Sequence, residues 1–168
     1  MNQTFENIKK TLEDFIQRTN LIVVEDTSNE LAKGTSYYKK DEHKVCIPSI
    51  QKTLENLDKN VNVNNFYFLS TIVHELAHST LKTLKRNLPY AEEEVVAETT
   101  ACLFTKQVIL NTVTSDKAHK ILEIMNISYL SCWWNNAKQD LEESSTNTKY
   151  NELEAMARQA LKLIQGGN

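Results

Sequence analysis

The chain has 168 residues, 40% apolar and 24% charged, the balance of a globular protein long enough to bury one core. Three glycines and two prolines supply too few turns for a β-sandwich or barrel and exclude collagen-like and Gly-rich linker classes, so the chain reads as mostly helical. A net charge of −3 offers no positive field to nucleic acid or to an anionic membrane.

In chain order, Phe5, Ile8, Leu12, Phe15 and Ile16 recur at helical spacing and predict an amphipathic helix over residues 3–18. Residues 21–24 are short and β-branched, which predicts a strand. The Tyr- and Thr-rich residues 35–39, a turn over 40–43 and residues 44–47 ahead of Pro48 predict a small hairpin or meander. Ser49 can cap a short helix that turns Ile50, Leu54 and Leu57 inward. The asparagine-rich residues 60–65 read as a loop. Beyond it, Leu69, Ile72, Val73, Leu76, Ala77, Thr80, Leu81 and Leu84 fall on one stripe, the best-defined helix of the chain.

A connection around residues 86–89 leads to a helix over 91–110. Asp116 can cap a further helix carrying Ala118, Ile121 and Leu122. Residues 127–141 predict another, with Leu130, Trp133, Trp134 and Ala137. The two tryptophans cannot both face one core, so one is expected on the surface or in a cleft. After a polar stretch over 144–148, the last helix spans 150–164 with Leu153, Met156, Ala157, Ala160 and Leu161 inward. No repeat or boundary interrupts this order, so residues 1–168 read as a single domain.

No segment approaches the roughly 18 apolar residues of a membrane span, and the N-terminus lacks the apolar core of a secretory signal. Cys46, Cys102 and Cys132 are odd in number and widely spaced, as reduced thiols would be. The expected location is the cytoplasm.

The chemistry lies in the strongest helix, at His74-Glu75-Leu76-Ala77-His78, an HExxH. Residues at this spacing stand about 40° apart around the helix axis, so the two imidazoles project side by side. They can close on one Zn²⁺ at about 2.0–2.1 Å. Glu75 points to the flank of that face, within reach of a water on the metal, whose pKa falls to roughly 7. The pattern on a periodic helix is a specific signal for metal binding.

A catalytic zinc takes a third protein ligand, and Glu92, Glu93, Glu94 and Glu98 open the next helix. Glu94 and Glu98 share a face; Glu92 and Glu93 turn away from it and read as complements to the helix dipole. Glu98 is set among Val95, Val96, Ala97 and Ala101, where a carboxylate needs a partner. The favoured assignment is Glu94 as ligand and Glu98 as acceptor for a ring N–H of His74 or His78, with the reverse assignment open. Tyr90 is a candidate hydrogen-bond donor to an oxyanion, or else a hydrophobic staple at the helix start. His43 and His119 lack a helical partner and read as turn or surface histidines.

The runs FYFLSTIVHELAHST, YAEEEVVAE and YLSCWW, with SYYKKDEHKVCIPSI upstream, resemble the zincin-like metallopeptidase domain of ArdC-type antirestriction proteins. Related domains occur in polyvalent proteins of phages and conjugative elements. The likeness spans roughly residues 35–164, and its ExxAE stretch is also similar to the ImmA/IrrE group. It implies zinc on His74, His78 and Glu94, with Glu75 as the catalytic acid/base. It also implies an α+β, predominantly helical zincin-like fold, with a short N-terminal sheet and about six helices. The expected activity is hydrolysis of peptide bonds in an intracellular protein, with a phage or mobile-element conflict with the host as its setting. The sheet's edge strand is expected above the metal helix, where an extended peptide can pair with it. An alternative is a non-catalytic binder of a host factor on the same scaffold, against which the intact Glu75 argues. Nucleic acid and membrane partners are not expected.

Overall fold

The structure, a computed structural model, describes residues 1–26, 36–128 and 146–167. Asn2 opens the first helix by accepting the Phe5 amide with its side chain, which satisfies a donor that the helix cannot. Helix α1, Gln3–Thr19, buries Phe5, Leu12 and Phe15 and stops at Asn20, which takes the left-handed backbone (φ 51) that Asn tolerates.

Strands β1 (Ile22–Asp26), β2 (Tyr37–Lys39) and β3 (Lys44–Pro48) form a sheet in the order β1-β3-β2. β1 runs parallel to β3, with Val23 opposite Val45; β2 runs antiparallel to it, with Tyr38 opposite Val45. Central β3 buries Val45 and Ile47 against the helices, while Ile22 and Val24 on β1 stay exposed. β2 and β3 pack on the long helix α3, and β2 is an open edge of the described sheet.

Helix α2 (Ile50–Lys59) is capped by Ser49, whose side chain accepts the Lys52 amide. Helix α3 (Val63–Thr83) is followed by α4 (Tyr90–Thr112), α5 (Ser115–Ser128) and α6 (Thr146–Ile164). The fold is α+β and predominantly helical, with six helices and one small sheet among the described residues. Its core joins β3 and all six helices through buried side chains such as Phe15, Ile47, Leu57, Leu76, Phe104, Ile121 and Ile164. A second cluster of Val95, Val96, Leu153 and Ala157 fastens α6 behind the start of α4. No helix among the described residues is long and apolar enough to cross a membrane.

Several boundaries differ from the sequence expectation. The first strand starts at Ile22 and continues to Asp26. The asparagine-rich loop is shorter than predicted, because Asn62 accepts the Asn65 amide at 3.0 Å and starts α3 there. Asp116 lies inside the first turn of α5, beside the helix dipole, rather than at its cap. The last helix begins at Thr146, ahead of the predicted start. The helix predicted over 127–141, with Trp133 and Trp134, lies outside the described residues beyond Ser128.

Candidate metal centre

Helices α3 and α4 make the most extensive contact in the fold, and the site lies in their seam. Leu76 and Ala77 face the core on α3, so His74 and His78 occupy the flank of the same stripe, turned toward α4. On α4, Val95, Val96 and Ala97 are buried beneath Glu94 and Glu98, which brings both carboxylates into the seam.

The two imidazoles stand edge to face, with ring centroids 4.7 Å apart and their Nε2 atoms 3.1 Å apart. The Glu94 carboxylate straddles them, with Oε2 at 3.3 Å from His74 Nε2 and Oε1 at 3.3 Å from His78 Nε2. Ligands about 2.0–2.1 Å from a tetrahedral zinc lie about 3.3–3.4 Å from one another. The two Nε2 atoms are thus nearly as close as two ligands of one zinc, and each has a Glu94 oxygen at a similar separation, a different oxygen for each ring. These residues form the group among the described residues that could hold a metal ion.

The outer nitrogens are also matched. His74 Nδ1 lies 2.9 Å from Glu98 Oε2. A carboxylate accepts, so Nδ1 carries a proton, and Nε2 is the nitrogen that faces His78 and Glu94. His78 Nδ1 faces Glu93 Oε1 at 3.6 Å, an ion-pair rather than a hydrogen-bond distance. Each histidine thus has one carboxylate behind it and shares Glu94 in front.

The electrostatics follow. Burial opposes the imidazolium of His74, but hydrogen bonds to Glu94 and Glu98 overcome it and its pKa is pushed up to about 10. His78 is raised in the same way, against burial, by Glu93 and Glu94. Burial works to raise Glu94, and the two histidines overcome it to hold its carboxyl well below the usual carboxylate range. A site that draws positive charge this strongly suits a divalent cation, which binds by displacing the imidazole protons.

Glu75 differs from the other acids. It is 8% exposed and makes no hydrogen bond or ion pair with the described residues. Burial raises its pKa, the histidine charges offset part of the rise, and Glu94 adds to it. It is a carboxylate beside the His74, His78 and Glu94 cluster with its proton affinity increased. Tyr90 is 73% exposed, so it packs as no staple. Its hydroxyl is bonded to Glu94, and partial desolvation followed by the Glu94 charge raises its pKa.

Two residues of the site were not foreseen. Glu93, read from sequence as a complement to the helix dipole, is 6% exposed and holds Arg86 in a two-pronged ion pair. Arg86 Nη2 lies 2.6 Å from Glu93 Oε1, and Nε lies 3.1 Å from Oε2. Arg86 also donates to Thr80 Oγ1 at 2.8 Å and to the Ala77 carbonyl at 3.2 Å, which ties the end of α3 to the start of α4. The sequence signal was weak, because Arg86 is aimed by Lys85 in the left-handed region (φ 52), where no glycine advertises a helix stop.

The other histidines are not brought to the site. His119 is exposed on α5. His43 is buried, with Nε2 donating to the Thr19 carbonyl at 3.0 Å and Nδ1 3.0 Å from the Tyr38 hydroxyl, so both nitrogens serve the join between α1 and the hairpin. Burial, and then the charge of Glu93, raises the pKa of Tyr38.

No protein-family model, curated protein or solved structure matches this chain. The chemistry of the site therefore rests on its own geometry.

Proposed function

We propose that the protein is a zinc-dependent peptidase that hydrolyses peptide bonds of a protein substrate, with His74, His78 and Glu94 as metal ligands. The observation that carries this reading is the cluster of His74, His78 and Glu94, whose two Nε2 atoms lie 3.1 Å apart and each 3.3 Å from one oxygen of the Glu94 carboxylate. Three protein ligands, rather than four, are the donor set of a zinc site that keeps a position open to substrate. When bound, zinc supplies a Lewis acid that polarises a carbonyl and acidifies water.

The protein side of the reaction falls to Glu75 and Tyr90. Glu75 takes the proton of the attacking water, then passes it to the leaving amine nitrogen as the C–N bond breaks; its raised proton affinity suits both transfers. On exchanging its bond to Glu94 for one to substrate, the exposed Tyr90 hydroxyl would donate to the oxygen of the scissile carbonyl. Glu98 fixes the His74 ring. The edge of β2 that no described strand pairs, on a strand packed against α3, would offer backbone groups to an extended substrate.

The test is hydrolysis of a mixed, unstructured protein such as casein by zinc-loaded protein, followed by mass spectrometry of new termini. Glu75→Gln should cut the rate by about 10²–10⁴-fold while zinc stays bound. Equal cleavage by wild type and Glu75→Gln would refute the peptidase assignment.

A further inference from the structure

We infer that Arg86 and Glu93 are a positioning pair for His78: the guanidinium fixes the Glu93 carboxylate, and the carboxylate fixes the ring of the histidine. The inference rests on the reading of His78 as a metal ligand and adds two residues to that site.

The geometry argues for more than a staple between helices. A carboxylate satisfied only by arginine has no reason to face an imidazole. Glu93 Oε1 takes Arg86 Nη2 at 2.6 Å and also stands 3.6 Å from His78 Nδ1. The guanidinium cannot shift to relax this, because Thr80 Oγ1 and the Ala77 carbonyl hold its other face. Ala77 and Thr80 flank His78 on α3, so the arginine is referenced to the turn that carries the ligand. Both side chains are almost fully enclosed, at 4% and 7% exposure, which keeps water from competing for the carboxylate.

The arrangement parallels the one on the other ring, where Glu98 meets His74 Nδ1 at 2.9 Å. There the carboxylate acts alone and lies in hydrogen-bond contact. Behind His78 the carboxylate is held by a cation, so its own position is set before the histidine closes on it. A proton on Nδ1, on the side of Glu93, would leave Nε2 of His78 as the ligand atom facing Glu94 and His74.

The experiment separates positioning from fold maintenance through variants that break the ion pair and one that removes it. Glu93→Gln and Arg86→Met each leave one buried partner alone and are expected to lower the melting temperature of the metal-free protein. Arg86→Met with Glu93→Gln removes both charges and is expected to recover most of that loss. Zinc affinity, measured by competition with a chromogenic chelator, should fall about 10–100-fold in Glu93→Gln and should not recover in the double variant. The visible spectrum of bound Co²⁺ should change in both, reporting a reoriented His78. Affinity that returns together with melting temperature, or an unchanged affinity and Co²⁺ spectrum, would overturn the inference and leave the metal reading intact. Wild type that binds neither zinc nor Co²⁺ would overturn the metal reading and this inference with it.

Discussion

His43 offers a sharp test of how this fold distributes its histidines. It is 7% exposed, takes a left-handed backbone (φ 47), and bridges the Thr19 carbonyl and the Tyr38 hydroxyl at 3.0 Å each. His43→Ala removes a donor from a carbonyl in the last turn of α1 and an acceptor from a half-buried phenol. At a net 0.5–1.5 kcal/mol per bond, plus the cost of leaving enclosed partners unmatched, the loss is about 2–4 kcal/mol. For a chain of this size that corresponds to a fall in melting temperature of about 4–16 °C. Tyr38→Phe removes only one of the two bonds and should cost about 1 kcal/mol. The two substitutions share that bond, so urea unfolding of both singles and the double should give a coupling energy near 1 kcal/mol. A coupling below about 0.3 kcal/mol, or loss of bound zinc in His43→Ala, would refute this structural role.

Lys85→Gly should stabilise the protein by about 0.5–1 kcal/mol, because the left-handed backbone after α3 (φ 52) strains any side chain; a lower melting temperature than wild type would contradict this. Glu98→Gln should weaken zinc binding about 10–100-fold at little cost to folding, as chelator competition can measure, and unchanged affinity would remove Glu98 from the site. Burial, then the charge of Glu98 and the 3.9 Å contact with its Oε1, push the Cys102 thiol up to about 12, so its thiolate fraction at pH 7.5 is on the order of 10⁻⁴ to 10⁻⁵. Iodoacetamide should therefore alkylate Cys102 at least about 100-fold more slowly in the native protein than in urea, and comparable rates would contradict the assigned environment.

The legible parts of this molecule are those written in periodicity. The stripe from Leu69 to Leu84 fixes α3, and an HExxH on such a stripe must put His74 and His78 on one flank. The same arithmetic on α4 separates Glu94 and Glu98 from Glu92. It failed for Glu93, because a helix wheel knows the direction of a side chain and nothing of what approaches it. The approach of Arg86 depends on a left-handed residue at Lys85, and lysine gives no warning of that conformation. Asparagine misled in the opposite sense: four asparagines in six residues suggest a loop, yet Asn62 is a cap and Asn64 and Asn65 follow it into the helix. The sequence puts His43 in a turn, but its burial and its two bonds depend on the packing of α1 beside the hairpin, which local sequence does not encode.

The most direct test of the central claim is the metal content of purified protein by elemental analysis, for wild type, His78→Ala and Glu75→Gln. The account predicts about one zinc per chain in wild type and in Glu75→Gln, and loss of that zinc in His78→Ala. Wild type without metal after zinc reconstitution, or His78→Ala that retains a full complement, would contradict it.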